Sequence, residues 1–229
     1  MKMIRIPAVI LTAAVLGAGL TCAAQEAHGS GHDATVHHEF KDAARWAEMF
    51  DSPERHEWQL PGKVMRVVGV EEGESVADLG AGTGYFTQVL SVAVGSRGRV
   101  WAVDIEPEML AHIEKRTDLG PAKVVTVLAA PDDPKLPAGE VDLVLVVDTW
   151  HHLDRRLDYL ARLQKTLTER GRVAIIDWHA GELPVGPPPG AKLPREAVIA
   201  EFTKAGWRLE TESVVLPYQY LLVFYPPGA

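Results

Sequence analysis

Val76-Ala77-Asp78-Leu79-Gly80-Ala81-Gly82-Thr83-Gly84-Tyr85 is the stretch that decides the fold. A short apolar segment ends in a carboxylate, and three glycines follow at alternate positions. Tyr85 then opens a run to Val94 that reads as a helix. The glycines let the chain turn tightly and let a ligand approach the backbone. A helix in that position points unpaired N–H groups and a positive dipole end at the loop. Asp78 stands before the glycines, where it would repel a phosphate and suit an ammonium-bearing or cationic ligand. The spacing G-x-G-x-G differs from the dinucleotide fingerprint, whose third glycine lies three after the second. No G-x-x-x-x-G-K-[ST] string occurs either.

Outward from this loop, apolar runs alternate with helical patterns. Strands are expected at Ser75 to Leu79, Arg99 to Val103, Lys123 to Ala129, Val141 to Val147 and Arg172 to Trp178. The unbroken VDLVLVV at 141–147 suits the centre of a parallel sheet, buried on both faces. Between the strands lie expected helices at Tyr85 to Val94, Pro107 to Arg116, His152 to Leu167 and Pro194 to Ala205. Repeated strand–helix units predict an α/β fold with helices on both faces of a mostly parallel sheet. Trp207 to Val215 and Tyr218 to Tyr225 have no helix between them, so the last strand is expected to be antiparallel, which makes seven strands. Residues 39–70 carry amphipathic helical patterns, with Ser52-Pro53 and Pro61 as helix starts, and predict an N-terminal helical cap. The main domain is then 71–229.

The segment DLGAGTGYF, Asp78 to Phe86, resembles the first motif of the class I S-adenosylmethionine-dependent methyltransferases. VWAVDIEPEML, Val100 to Leu110, resembles the end of their second strand, and VDLVLVVDTWHHL, Val141 to Leu153, their fourth strand and its exit loop. The resemblance covers Val64 to Tyr225 and implies a Rossmann-like fold with S-adenosyl-L-methionine as cofactor. It implies cofactor contacts from Asp78, Gly80, Ala81, Gly82 and Gly84. Asp104 would take the ribose hydroxyls, which suits a carboxylate acceptor. Ile105 would lie against the adenine, and Asp132 or Asp133 would accept from its amino group. FKDAARWAEMFDSPERHEWQLP and LPVGPPP look like an exported bacterial group of methyltransferase-like proteins.

Methyl transfer needs an acceptor aligned with the methyl group, and a base only where the acceptor loses a proton. The residues after the fourth strand sit where this architecture places ligands. His151 is the expected base, with a side-chain pKa near neutrality, and Asp148 the expected contact to substrate or cofactor. Trp150 is expected to wall the substrate, with Trp46 and Trp58 of the cap closing over it. Asp177 and His179 end the fifth strand nearby. With Asp148 and His151 they are a conceivable oxygen-and-imidazole metal set, although no metal is expected.

The chain has 229 residues, 47% hydrophobic and 24% charged, with one cysteine, which fits one globular domain and excludes a disulfide scaffold. Its net charge of −8 argues against a broad nucleic-acid surface. Lys2 and Arg5 precede an uncharged run from Ile6 to Leu20 and small residues to Ala24, the pattern of a secretory signal at 1–24. A lipid on Cys22 or an uncleaved anchor are the alternatives. The expected address is secreted or periplasmic, without stable membrane insertion after cleavage. Residues 25–38 read as a flexible segment rich in histidine, with His28, His32, His37 and His38 as conceivable metal ligands. The expected function is methylation of a small molecule at oxygen or nitrogen by a monomer or homodimer that does not bind nucleic acid. Two alternatives remain: a non-catalytic module that binds the nucleoside, and an exported metal-handling protein that uses the histidine segment.

Overall fold

The computed structural model describes residues Asp42–Gly228. The expected signal at 1–24 and the histidine segment at 25–38 lie outside the described residues.

Among the described residues three helices, α1 (Ala43–Phe50), α2 (Pro53–Gln59) and α3 (Pro61–Val68), precede the first strand. Pro53 and Pro61 each occupy a first-turn position, where the missing N–H costs nothing. Then follow β1 (Ser75–Leu79), α4 (Tyr85–Val94), β2 (Arg99–Asp104), α5 (Pro107–Lys115), β3 (Lys123–Leu128) and β4 (Val141–Val147). The chain continues through α6 (Arg156–Thr166), β5 (Leu167–Trp178), α7 (Arg195–Lys204), β6 (Arg208–Ser213) and β7 (Gln219–Tyr225). The seven strands lie in the order β3-β2-β1-β4-β5-β7-β6. Pairing is parallel from β3 to β5, and β7 is antiparallel to both neighbours. The α/β, Rossmann-like fold and its antiparallel last strand are as expected from the sequence.

Both faces of the sheet are apolar, and strand period decides which residue faces where. Leu143, Leu145 and Val147 pack with Val64, Phe86 and Leu90 of the cap and α4. Val144 and Val146 pack with Tyr159, Leu160 and Phe202 of α6 and α7. A register shift between Val141 and Leu143 puts Val141 on the same face as Val144. Asp142, the polar residue in that run, accepts from the Ser75 N–H and the Thr168 hydroxyl, both at 2.9 Å.

Two boundaries differ from expectation by more than two residues. β5 starts at Leu167 rather than Arg172. Gly171 does not stop the chain: a Cβ there would lie 2.9 Å from the Val141 carbonyl oxygen, so the glycine lets an irregular strand pass close to β4. The helix expected from His152 is also broken. A single 3-10 turn, Trp150–His152, is followed by Arg155 at φ 45°, and α6 begins only at Arg156. This break aims the segment after β4 at two different places.

Strands β1 and β4 are neighbours, yet the chain runs outward from β1 towards β3 and from β4 towards β5. The crevice at their C-terminal ends is the switch point, where open α/β sheets bind ligands.

Candidate functional site

The glycine loop is anchored from below. The Gly80 and Ala81 N–H groups donate to the Val103 carbonyl at 2.8 and 3.0 Å. Asp104, at the tip of β2, accepts from the Gly82 N–H at 2.8 Å through Oδ2 and from the Glu106 N–H at 2.9 Å through Oδ1. Burial pushes the Asp104 carboxyl up against these backbone donors. Gly80, at φ +80°, admits no side chain, because a Cβ would lie 2.1 Å from the Thr149 hydroxyl oxygen. The loop is thus interlocked with the exit of β4. Asp78 is 2% exposed and accepts from the Thr87 hydroxyl at 2.7 Å. Burial raises its pKa to about 6, with Asp104 adding to the rise and Arg55 opposing it.

The cap is fastened to this loop. Asp51, between α1 and α2, accepts from the Thr83 hydroxyl at 2.8 Å and from Arg116 at 3.2 Å, and Arg116 also donates to the Thr83 carbonyl. Between cap, loop and strand ends lies a cavity of about 720 Å³, within the range of roughly 300–1,000 Å³ usual for small-ligand sites. Its lining is mostly apolar and aromatic, with Trp46, Phe50, Trp58 and Trp178 among the walls. Trp58 packs against Trp178 at 5.4 Å between ring centroids, and Trp46 stacks on Phe50 at 5.2 Å.

A polar group closes the end beyond β4. Asp148 has φ 54°, an uncommon conformation for a residue other than glycine. Its Oδ1 accepts from the Gln219 amide, which in turn accepts from the Gln59 amide of α2. Its Oδ2 lies 3.7 Å from the Arg55 guanidinium. Burial raises the Asp148 pKa to about 7; Arg55 opposes the rise and Asp177 adds to it. His151 lines the cavity, and its Nδ1 lies 2.9 Å from both oxygens of the fully buried Asp177. Burial disfavours a charge on His151, but the hydrogen bond and charge of Asp177, with Asp148, outweigh it and raise the pKa. Nδ1 is committed to Asp177, so Nε2 is the ring nitrogen left for a ligand.

The structure brings together Asp78, Gly80, Ala81, Gly82, Asp104, Ile105, Asp148, His151, Trp46 and Trp58 around one cavity. It turns four expected residues elsewhere. Trp150 is fully buried on the far side of the sheet, 5.2 Å from the Phe202 ring, with its indole N–H on Glu201 at 3.1 Å, so it does not wall the cavity. Asp132 faces outward to Arg155 and Arg162, and Asp133 pairs with Lys135 at 2.7 Å. A one-residue bridge between Ala130 and Asp133 makes that turn, leaving Ala129, Ala130 and Pro131 to line the cavity. Gly84 sits behind the loop as the cap of α4, where a Cβ would meet Ile113 at 3.0 Å. Among the described residues, no three histidine, cysteine or acidic side chains are grouped to hold a metal. Arg55 and Tyr85 line the cavity, and Gln59 and Gln219 back its polar end, without having been singled out. Only Tyr85, adjoining the glycines, carried a signal that could have found it.

A family model described as "Methyltransferase domain" matches residues 77–175. Aklanonic acid methyltransferase DauC of Streptomyces sp. (strain C5) is 31% identical over 151 residues, which cover 63% of this chain and 68% of that protein. The ubiquinone/menaquinone biosynthesis C-methyltransferase UbiE of Cupriavidus taiwanensis is 29% identical over 112 residues, 48% of this chain and 45% of that one. A solved S-adenosylmethionine-dependent methyltransferase from Aquifex aeolicus superposes with a TM-score of 0.75 at 31% identity, covering 80% of this chain and 97% of that chain. The carboxylates at the tips of β1 and β2, beside a glycine loop and a cavity of this size, suit a ligand that carries an ammonium group and a ribose. Sequence likeness and site chemistry agree: the chain belongs to the class I S-adenosylmethionine-dependent methyltransferases, and S-adenosylmethionine is its cofactor.

Proposed function

We propose that the chain methylates a small-molecule acceptor at oxygen or nitrogen, with His151 as general base and Asp177 holding it in position. The observation that carries this reading is the buried His151–Asp177 pair at the wall of the cavity, with Nδ1 held by the carboxylate. In this reading Asp78 receives the ammonium group of the cofactor and Asp104 the ribose hydroxyls. The cofactor supplies an electrophilic methyl group on a sulfonium. His151 would take the proton that the acceptor loses as the acceptor's lone pair bonds to the methyl carbon and the C–S bond breaks, its electron pair leaving on sulfur as a neutral thioether. Asp177 stabilises the imidazolium that results. Trp46 and Trp58, with Trp178, hold the acceptor's apolar body and exclude water. Asp148 lies at the boundary between acceptor and cofactor and orients whichever polar group reaches it.

Transfer of an isotope-labelled methyl group from S-adenosylmethionine to a panel of phenols, carboxylic acids and amines tests the reading. Methylated oxygen or nitrogen is the expected product. Methylation at carbon would contradict the acceptor assignment, and binding of the cofactor without any transfer would favour a non-catalytic module.

We also propose export, on the charged head, apolar run and small residues at 1–24. Fractionation of the native host should place the protein outside the cytoplasm with an N-terminus at Ala24 or Gln25. An intact Met1 in the cytoplasmic fraction would overturn this.

A further inference from the structure

The polar end of the cavity and its indole wall are built by the same elements. Trp178 of β5 and Gln219 of β7 are direct partners in an antiparallel pair, so their side chains stand on one face of the sheet. Trp58 and Gln59 follow one another on α2. The two glutamines bond to each other, and Gln219 holds Oδ1 of Asp148. The two tryptophans pack at 5.4 Å between ring centroids. Asp148 and the indole pair are thereby brought to one end of the cavity, which all three line.

One oxygen of Asp148 is left over. Among the described residues Oδ2 accepts no hydrogen bond, and the Arg55 guanidinium stands 3.7 Å away, too long for a good one. Arg55 is held elsewhere: its Nε donates to Gln59 at 3.1 Å and its Nη1 to the Phe50 carbonyl at 2.9 Å, and its guanidinium lies over the Tyr85 ring. Among the described residues that line the cavity, it is the one lysine or arginine. A carboxylate acceptor would therefore meet the charge of Asp148 with little to offset it. A cation would meet a carboxylate oxygen and two electron-rich indole rings. Burial holds the Asp148 pKa up at about 7, and a bound cation would relieve that cost.

We propose that the acceptor is an amine that enters as its ammonium, with Asp148 Oδ2 and the Trp58 and Trp178 rings as its binding site. The inference rests on the methyl transfer proposed above and narrows its acceptor atom to nitrogen. The ammonium donates one N–H to Oδ2. His151 lies close enough to Asp148 for each to act on the other's charge, and it takes a second proton from the ammonium. The nitrogen lone pair so freed forms the bond to the methyl carbon. The C–S bond breaks, and its electron pair stays on sulfur.

The test is calorimetry on the full chain with S-adenosylhomocysteine bound, using three probes on one ring: naphthylethylamine, naphthylethanol and naphthylpropanoate. The amine should bind at least about tenfold more tightly than the alcohol, with the propanoate weakest. Asp148→Asn keeps an acceptor for Gln219 and a residue type that tolerates positive φ, so its melting temperature should not fall. It should bring the amine to within about twofold of the alcohol. Trp58→Leu should weaken the amine about fivefold more than the alcohol. Labelled methyl from S-adenosylmethionine should reach the amine nitrogen. Equal affinity for amine and alcohol, an amine preference that survives Asp148→Asn, or binding of none of the probes would overturn the ammonium site. Transfer to the alcohol oxygen would overturn it while methylation at oxygen or nitrogen stood. Transfer to a ring carbon would overturn both.

Discussion

His151→Gln is expected to lower kcat by about 10²–10⁴-fold while leaving the affinity for S-adenosylmethionine nearly unchanged. Glutamine keeps an N–H that can reach Asp177, so the fully buried carboxylate is not stranded, as it would be in an alanine variant. What is lost is the acceptor of a proton in the transition state. The sign of the pH dependence follows from the same pair. Asp177 raises the His151 pKa, and the base works only when neutral. Activity should therefore rise with pH, with an acid limb placed above the ordinary histidine value. Asp177→Asn should move that limb to lower pH and reduce kcat as well. Steady-state rates across pH 5–9 check both statements. An unshifted limb with undiminished kcat would remove His151 from the chemistry. Stability runs the other way: a raised histidine pKa stabilises the fold below the unfolded value, and that gain disappears as pH rises through the folded value.

Asp78→Asn should weaken S-adenosylmethionine by about 100-fold, because in the proposed site a buried carboxylate that answers the ammonium is replaced by a neutral amide. The unmodified protein should show the same dependence through pH. The Asp78 pKa of about 6 means that the empty site takes up a proton on mild acidification. The proposed contact requires the ionised form, so affinity should be flat above about pH 6 and fall by up to tenfold per pH unit below it. In Asp78→Asn this slope should vanish. Titration calorimetry at pH 5, 6, 7 and 8 reads both effects. A variant that binds as tightly as the unmodified protein would show that the ammonium lies elsewhere. The raised carboxylate also destabilises the empty fold. The folded state binds the extra proton between the unfolded pKa and about 6, so stability falls as pH rises through that window.

The sheet was legible because its central strands are buried on both faces, and continuous runs such as Val141 to Val147 cannot be accommodated elsewhere. Asp78, Gly80 and Asp104 were legible because a strand tip and a tight turn are local features. Trp150 was not. Two residues after Asp148, it looks like part of the same rim, but the 3-10 turn swings it to Glu201 and Phe202. Nothing near Trp150 in the sequence announces those partners. Asp132 and Asp133 failed similarly, since one backbone bridge decides whether a loop shows its side chains or its main chain to the ligand. The Gln59–Gln219 contact joins residues 160 apart, and glutamines carry no pattern that could pair them.

The placement of β7 between β5 and β6 makes the far edge of the sheet depend on one strand. β6 is made before β7, yet it has no partner in the sheet until β7 has joined β5. While β5 waits, the N–H and C=O groups of its outer edge are open beside Ile175 and Ile176, the kind of edge that recruits strands from other molecules. The sheet is closed only when β7 docks on β5, bringing β6 with it, and a nascent or refolding chain is exposed to aggregation along that edge until it does.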